Sequence, residues 1–484
     1  MSATSIISGG SEKLDAWTRR SQPKIDIQID GQKPGRVNSY TTGESIDGTV
    51  TIIVEHETRF EEVEIFFEGT SRTTVERASC PGRTGSQQMF LKLRQPIDET
   101  EYPTPRVLES GRAYQFPFTF IVPDSLLPQV CTHTKQNAQI HRCHTMLPPT
   151  LGDPILASNG KDLLDDMAPC MSQVCYIVRA SVFQKQPAGT GVASVAAVAK
   201  KVRIIPTAEE EPPIEIPEFS SLCTRKEKTV KRGTLRGKLG RLVASTVATV
   251  NLRFDPVGDE QPPPLGTMTS RLRANTFFSA SPWEDFPFST GLPFAQVGRG
   301  LYTDSVPLLT MCVASAQWKK QSSAVDCLRR DSADSSSSDS SVGPSSTFTG
   351  DTYYTASVVV PITLPKSKAF VPTFHSCLIS RIYSLDLSLT YHTPATNLIT
   401  PTISLRVPVQ FTSQPKSTES LKASLGVTVT QEEIDEFFLP RNVTSPTNFS
   451  DHVVSDTVVD LGIAPPGYSE RTSIPVARTV RASN

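Results

Sequence analysis

The chain has 484 residues, more than one hydrophobic core usually organises, so two domains with tails are the starting expectation. Its 39 prolines and 27 glycines suit many short strands and turns and exclude an all-helical protein. The 48 Lys and Arg nearly cancel the 49 Asp and Glu, which excludes a global field for holding nucleic acid or selecting acidic substrates.

The 9 cysteines are odd in number and irregularly spaced, the usage of reduced thiols. Met1 to Arg20 has no apolar core like that of a signal peptide. No run approaches the roughly 18 apolar residues of a membrane-spanning helix. These features predict an intracellular protein, in which the sequons at Asn442 and Asn448 are chance matches.

From Pro23 the chain alternates apolar and polar residues, the period that puts every second side chain of a half-buried strand on the core face. Ile25, Ile27 and Ile29 open the series, followed by Val50, Ile52 and Val54. Val63, Ile65 and Phe67 sit between Glu62, Glu64 and Glu68; then come Phe116, Phe118, Phe120 and Val122. Val174, Tyr176, Val178, Ala180 and Val182 make a further strand, and Val202 to Ile205 close the first domain before Pro206. Glu209-Glu210-Glu211-Pro212-Pro213 disfavours both helix and ladder and marks the linker.

Alternation then resumes with Ala248, Val250, Leu252 and Phe254, and with Ala356, Val358, Val360, Ile362 and Leu364. Tyr383, Leu385, Leu387, Leu389 and Tyr391 follow, then Ile403, Leu405, Val407, Val409 and Phe411. Between these strands, Ser332 to Ser341 offers nothing apolar larger than Ala to offset the entropy of ordering, which predicts a disordered insert at about residues 328–350. Beyond Phe411 the chain is a polar, Ser/Thr/Pro-rich tail in which only Gln431 to Phe438 suggests a short helix.

Three stretches in this order resemble the α-arrestins, the arrestin-related trafficking adaptors, particularly fungal ones. Tyr40-Thr-Thr-Gly-Glu-Ser-Ile-Asp-Gly-Thr-Val50, with Val63-Glu-Ile-Phe-Phe-Glu-Gly69, is similar to the family's Gly-Glu-x-x-x-Gly turn and the strand ending in Gly. Tyr114 to Pro123 resembles the N-terminal domain's strand ending at Pro, and Val371 to Tyr383 the C-terminal domain's segment before a long strand. The resemblance implies an all-β fold of two tandem immunoglobulin-like, arrestin-type sandwiches. Its divisions are an extension at 1–22, a first sandwich at 23–206, a linker at 207–220, a second sandwich at 221–412 and a tail at 413–484. It also implies a non-enzymatic adaptor without cofactor, which binds integral membrane cargo such as permeases and recruits a WW-domain HECT-type ubiquitin ligase for ubiquitination and endocytosis. Such a protein is cytoplasmic and recruited peripherally to plasma membrane or endosomes.

The peptide that carries this function is Pro465-Pro466-Gly467-Tyr468, a PPxY motif. Consecutive prolines hold the segment in polyproline II before binding, and Pro465, Pro466 and Tyr468 are the residues that would dock in an aromatic-lined WW groove. A random chain of this composition would contain about 0.06 such motifs, so chance is a weak rival. Pro262-Pro263-Pro264-Leu265 lacks the tyrosine and reads as a loop.

Other candidate sites have a bland counterpart. Arg225, Lys226, Lys228, Lys231, Arg232, Arg236, Lys238 and Arg241 form a basic stripe with one acidic residue, Glu227. It would suit anionic lipid headgroups or an acidic stretch of cargo, or it guards an edge strand against unwanted pairing. Ser332, after Arg329-Arg330, has a basophilic kinase context and Ser338, before Asp339, an acidophilic one; the alternative is a merely solvating loop.

Cys131, His133, His141, Cys143 and His144 gather thiolates and imidazoles, the ligands zinc prefers. Their spacing is not a standard zinc pattern, and on strands Cys-x-His and His-x-Cys-His would aim ligands at alternate faces, so the reading is a satisfied polar loop with zinc as its rival. An enzyme would have only this cluster to rest on, since the familiar nucleotide, metalloprotease and hydrolase signatures are missing. The remaining alternative is an arrestin-fold scaffold for sorting or signalling that works without a ligase.

Overall fold

The computed structural model describes residues 22–413 outside the segments 33–36, 77–81, 137, 154–163, 186–190, 210–224, 232–237, 247–248, 288–297, 323–344, 346–347 and 394–399. The predicted linker core, the serine-rich insert and the PPxY tail therefore lie outside the described residues.

The first sandwich follows from the alternation. Its strands are β1 Lys24–Ile29, β2 Ser39–Tyr40, β3 Ser45–Ile53, β4 Thr58–Arg59, β5 Glu62–Glu76 and β6 Arg83–Gln95. They continue with β7 Val107–Leu108, β8 Ala113–Ile121, β9 Ser172–Lys185 and β10 Val192–Ile204. One sheet runs β1-β3-β8 and the facing sheet β2-β10-β9-β5-β6, while β4 and β7 form a short pair. The isoleucines of β1, Val50 and Ile52 of β3, and Phe116, Phe118 and Phe120 of β8 are buried against Val63, Ile65 and Phe67 of β5 and the apolar face of β9. Glu68, read from the sequence as an outward residue of β5, does leave that core face but is itself buried, with its carboxylate 2.9 Å from Arg179 Nε on β9.

The second sandwich comprises β11 Arg225–Lys231, β12 Lys238–Thr246, β13 Thr249–Pro256, β14 Leu265–Ser279 and β15 Arg299–Cys312. It is completed by β16 Lys319–Ser322, β17 Thr352–Val359, β18 Phe374–His375, β19 Ile379–Tyr391 and β20 Thr402–Val409. One sheet runs β11-β12-β13-β17-β16; the other runs β15-β14-β19-β18, with β20 also paired to β19. Val250, Leu252, Phe254, Ala356 and Val358 meet Leu385, Leu387, Leu389, Ile403 and Leu405 in its core. Ile362 and Leu364, expected to extend the buried face of β17, are instead 54% and 40% exposed. Pro361 lacks the N–H that would continue the ladder, and β17 ends at Val359.

The segment 126–147 also departs from the sequence reading. Ala138–His144 forms a short helix, α1, where a polar loop was expected. Its Ile140 and Cys143 pack against Phe277, Trp283 and Phe286 of the second sandwich.

The turn between β2 and β3 explains the Gly-Glu-x-x-x-Gly motif physically. Gly43 adopts φ +79°, and Glu44 accepts a hydrogen bond from the Thr41 N–H at 2.7 Å. At Gly48 the φ is ordinary but the space is not: a Cβ would lie 2.2 Å from the Gln28 carbonyl oxygen and 2.6 Å from the Phe118 ring. Gly43→Ala should therefore cost about 1–2 kcal/mol through backbone strain alone. Gly48→Ala must push β1 away from β3 and should cost about 3 kcal/mol or more. Denaturant midpoints measured side by side test this order, and an equal or smaller loss for Gly48→Ala would contradict the close approach.

Candidate functional site

Below the facing ends of the two sandwiches, four ligand-type side chains converge. Cys131 follows the 3-10 turn Pro128–Val130, His133 lies two residues on, His144 ends α1, and Cys377 sits in the turn between β18 and β19. One donor atom from each falls within 4.8 Å of those of the other three. Cys131 Sγ is 3.2 Å from His133 Nε2 and 3.5 Å from His144 Nδ1. Cys131, His144 and Cys377 are buried, while His133 is half-buried.

Each side chain is held by its backbone setting. Ser376 makes a closed turn with Ile379, whose carbonyl receives both the Ser376 N–H and hydroxyl at 2.8 Å, and this turn presents Cys377. The Cys377 carbonyl accepts the Trp283 N–H at 2.9 Å within the second sandwich, and the Glu284 carbonyl accepts the Gln136 N–H at 2.9 Å across to the first. His133 Nδ1 meets the Thr134 carbonyl at 2.9 Å, leaving Nε2 as the lone-pair nitrogen toward Cys131. The last turn of α1 holds His141, Arg142 and His144 near its carbonyl end, a favourable place for rings with partial positive charge.

The electrostatics follow from this packing. A hydrogen bond from Cys377 holds the Cys131 thiol well below the usual thiol range; burial opposes it, and His133 and His144 add to the lowering. Cys377 is pushed up correspondingly by Cys131 and by burial. Burial lowers His144, the contact with Cys131 opposing it. For His133 burial also pulls downward, but the Cys131 and Thr134 contacts leave it raised. The two sulfurs thus face each other, with imidazole nitrogens against Cys131 Sγ.

Of the five Cys/His residues singled out in the sequence, the structure brings together Cys131, His133 and His144. Cys143 points instead into the apolar contact with Phe277, Trp283 and Phe286, and His141, though on the same helix, is not among the converging donors. Cys377 was missed, because it comes from the other sandwich and nothing in the local sequence ties it to Cys131.

A second polar group lies between the sandwiches. Lys368 Nζ is 2.5 Å from Asp165 Oδ2, and the Thr73 hydroxyl donates to the Ser279 carbonyl at 2.7 Å. Burial raises Asp165, but the Lys368 and Met167 N–H bonds and the charges of Lys368 and Arg381 leave it lowered; hydrogen bonding to Asp165 raises Lys368. Asp165 therefore adds stability that is present above the ordinary Asp value and fades as pH falls through its lowered folded value. Lys368 adds stability that is present below the ordinary Lys value and fades above its raised one, so the pair stays closed across neutral pH. Nearby, Arg381 on β19 is fully buried and its guanidinium finds no hydrogen-bond acceptor among the described residues; the Tyr383 ring lies 5.8 Å from its Cζ.

The basic stripe falls on an edge. β11 pairs only with β12 in its sheet, with Arg225 opposite Ser245 and Thr229 opposite Arg241. Lys226 and Lys228 are exposed, and Lys228 Nζ donates to the Thr402 carbonyl of β20. Lys231, Lys238 and Arg241 lie in the same hairpin by backbone. Arg232 and Arg236 are outside the described residues, as are Ser332, Ser338, Pro465, Pro466 and Tyr468.

Arg381→Met removes a buried charge that makes no hydrogen bond among the described residues, though it acts on Asp165, while keeping the length of the side chain. It should leave stability unchanged or raise it by about 1–4 kcal/mol, the range for replacing buried ionic groups by apolar ones. A lowered thermal midpoint would show that the guanidinium has a partner the described contacts do not include.

Residues 25–144 match the family model of the arrestin (or S-antigen) N-terminal domain. No curated protein matches the chain. The matched span runs from β1 through α1, so it holds the Gly43 to Gly48 turn, the aromatic strand β8 and three of the four converging donors. Residues 25–144 thus form an arrestin N-terminal-type domain, within a fold of arrestin-type β-sandwiches.

Proposed function

We propose that this protein is an α-arrestin-type adaptor that brings a WW-domain HECT-type ubiquitin ligase to integral membrane cargo. The coarser role, a non-enzymatic adaptor or scaffold, is the one expected of a chain with an arrestin N-terminal domain at residues 25–144. The single observation that carries the finer one is Pro465-Pro466-Gly467-Tyr468 on the same chain as an arrestin domain. The prolines are preset for an aromatic-lined groove and the tyrosine supplies the specific contact, so little entropy is lost on docking. The sandwiches hold cargo while the peptide holds the ligase, which raises the ligase's effective concentration at the cargo's lysines. The complex forms on the cytoplasmic side of plasma membrane or endosomes, and Ser332 and Ser338 offer points at which added phosphate would alter binding.

Exposed Lys226 and Lys228 on an edge strand favour a membrane-facing role for β11. Each basic residue near an anionic surface is worth about 1 kcal/mol. A second reading, a sorting or signalling scaffold that needs no ligase, rests on the same face and makes the tail dispensable.

Tyr468→Ala should weaken pull-down by the ligase's WW domains at least about tenfold, roughly 1.4 kcal/mol, and reduce cargo ubiquitination to match. Unchanged binding would remove the ligase mechanism, and normal cargo traffic after deletion of 413–484 would favour the scaffold. Lys226→Glu with Lys228→Glu should weaken sedimentation with phosphatidylserine vesicles by about tenfold or more at low salt. If vesicle binding persists while the variant self-associates, β11 is a guarded edge and not a lipid contact.

A further inference from the structure

We propose that Cys131, His133, His144 and Cys377 form a structural zinc site that ties the first sandwich to the second. A tetrahedral Zn²⁺ with sulfur at about 2.3 Å and nitrogen at about 2.05 Å places adjacent sulfur and nitrogen donors about 3.6 Å apart. The two Cys131 sulfur–nitrogen separations, 3.2 and 3.5 Å, lie close to that edge, and all four donors fall within 4.8 Å of one another. Small side-chain rotations close the remainder.

The donor set also has the right charge and burial. Two thiolates cancel the two charges of Zn²⁺, so the filled site carries no net charge into a buried position. Ligation takes both sulfurs as thiolates with their protons released, and the neutral imidazoles contribute lone pairs without proton loss. Four protein donors leave no open position for water or substrate, which makes the site structural and not catalytic. The contact from His133 Nδ1 to the Thr134 carbonyl is the outer-shell bond that fixes a ligating ring with Nε2 inward.

The placement gives the metal its role. Three ligands come from the segment 131–144 and the fourth from the turn after β18, across the contact between sandwiches. A disulfide between Cys131 and Cys377 is the competing use of the same sulfurs, but it leaves both imidazoles facing a sulfur with no function.

The full chain, purified without a metal-affinity tag under reducing conditions, should contain about one zinc per molecule by elemental mass spectrometry. Cys377→Ser and Cys131→Ser should fall below about a tenth of that, whereas Cys143→Ser and His141→Ala, whose side chains lie outside the cluster, should keep it. Exchange of the wild-type metal for Co²⁺ gives a readout that needs no variant. Tetrahedral ligand-field bands together with thiolate-to-cobalt charge transfer support the site; a spectrum of octahedral aquo-type cobalt overturns it. So would zinc-free wild type after incubation with equimolar Zn²⁺, full zinc content in Cys377→Ser, or an intact mass showing Cys131 and Cys377 joined by a disulfide.

Discussion

Leu378 belongs to the second sandwich by sequence and to the first by packing. With Val371, Phe374 and Ile379 it is buried in the same apolar cluster as Ile25, Phe116 and Val178. Around this insertion the polar ties between the sandwiches are arranged: Gln136 on Glu284, Thr73 on Ser279 and Lys368 on Asp165. None of these would hold two domains by itself in water, where a hydrogen bond nets only about 1 kcal/mol. With Leu378 seated, the same bonds form between groups already fixed in place, and their entropic cost is small.

That arrangement bears on how an adaptor of this kind works. On the proposed reading, cargo and ligase would be brought together usefully only if the cargo-holding surface were stiff relative to the peptide that would hold the ligase. An interface made of one inserted apolar turn, a helix end and a ring of polar ties resists rotation about any single axis. Arg381, also fully buried, has its charge acting on Asp165 of the Lys368 pair.

Much of this was legible in the sequence where one face of a strand is apolar and the other polar. The alternation of β1, β3, β8, β9 and β19 was read with the correct inward residues, because each of those strands has one face on a core. β14 was not read, although it is among the longest strands: its buried positions include Ser270, Ala274, Thr276 and Ser279, which carry no apolar period. β6 and β15 were missed, and β10 was read only at its end from Val202, for a related reason, since along most of their length they are only partly buried. At Ile362 and Leu364 the period was present but Pro361 had already ended the ladder. The Cys/His cluster shows the other limit. The stretch was read as a polar loop, whereas the short helix sets His144 near Cys131 and Cys143 into the apolar contact, and the fourth donor comes from a distant part of the fold.

The chain enters and leaves the second sandwich through one doorway. Ala208 and Ser413 form an antiparallel bridge with both N–H groups bonded at 3.0 Å, so the residue that ends the first sandwich and the one that precedes the tail are neighbours. A ligase bound to the tail and a cargo diffusing in a membrane would pull against each other through that point. Tension would load two backbone bonds at the shared threshold before it reached either core, leaving both sandwiches folded while the doorway gives way first.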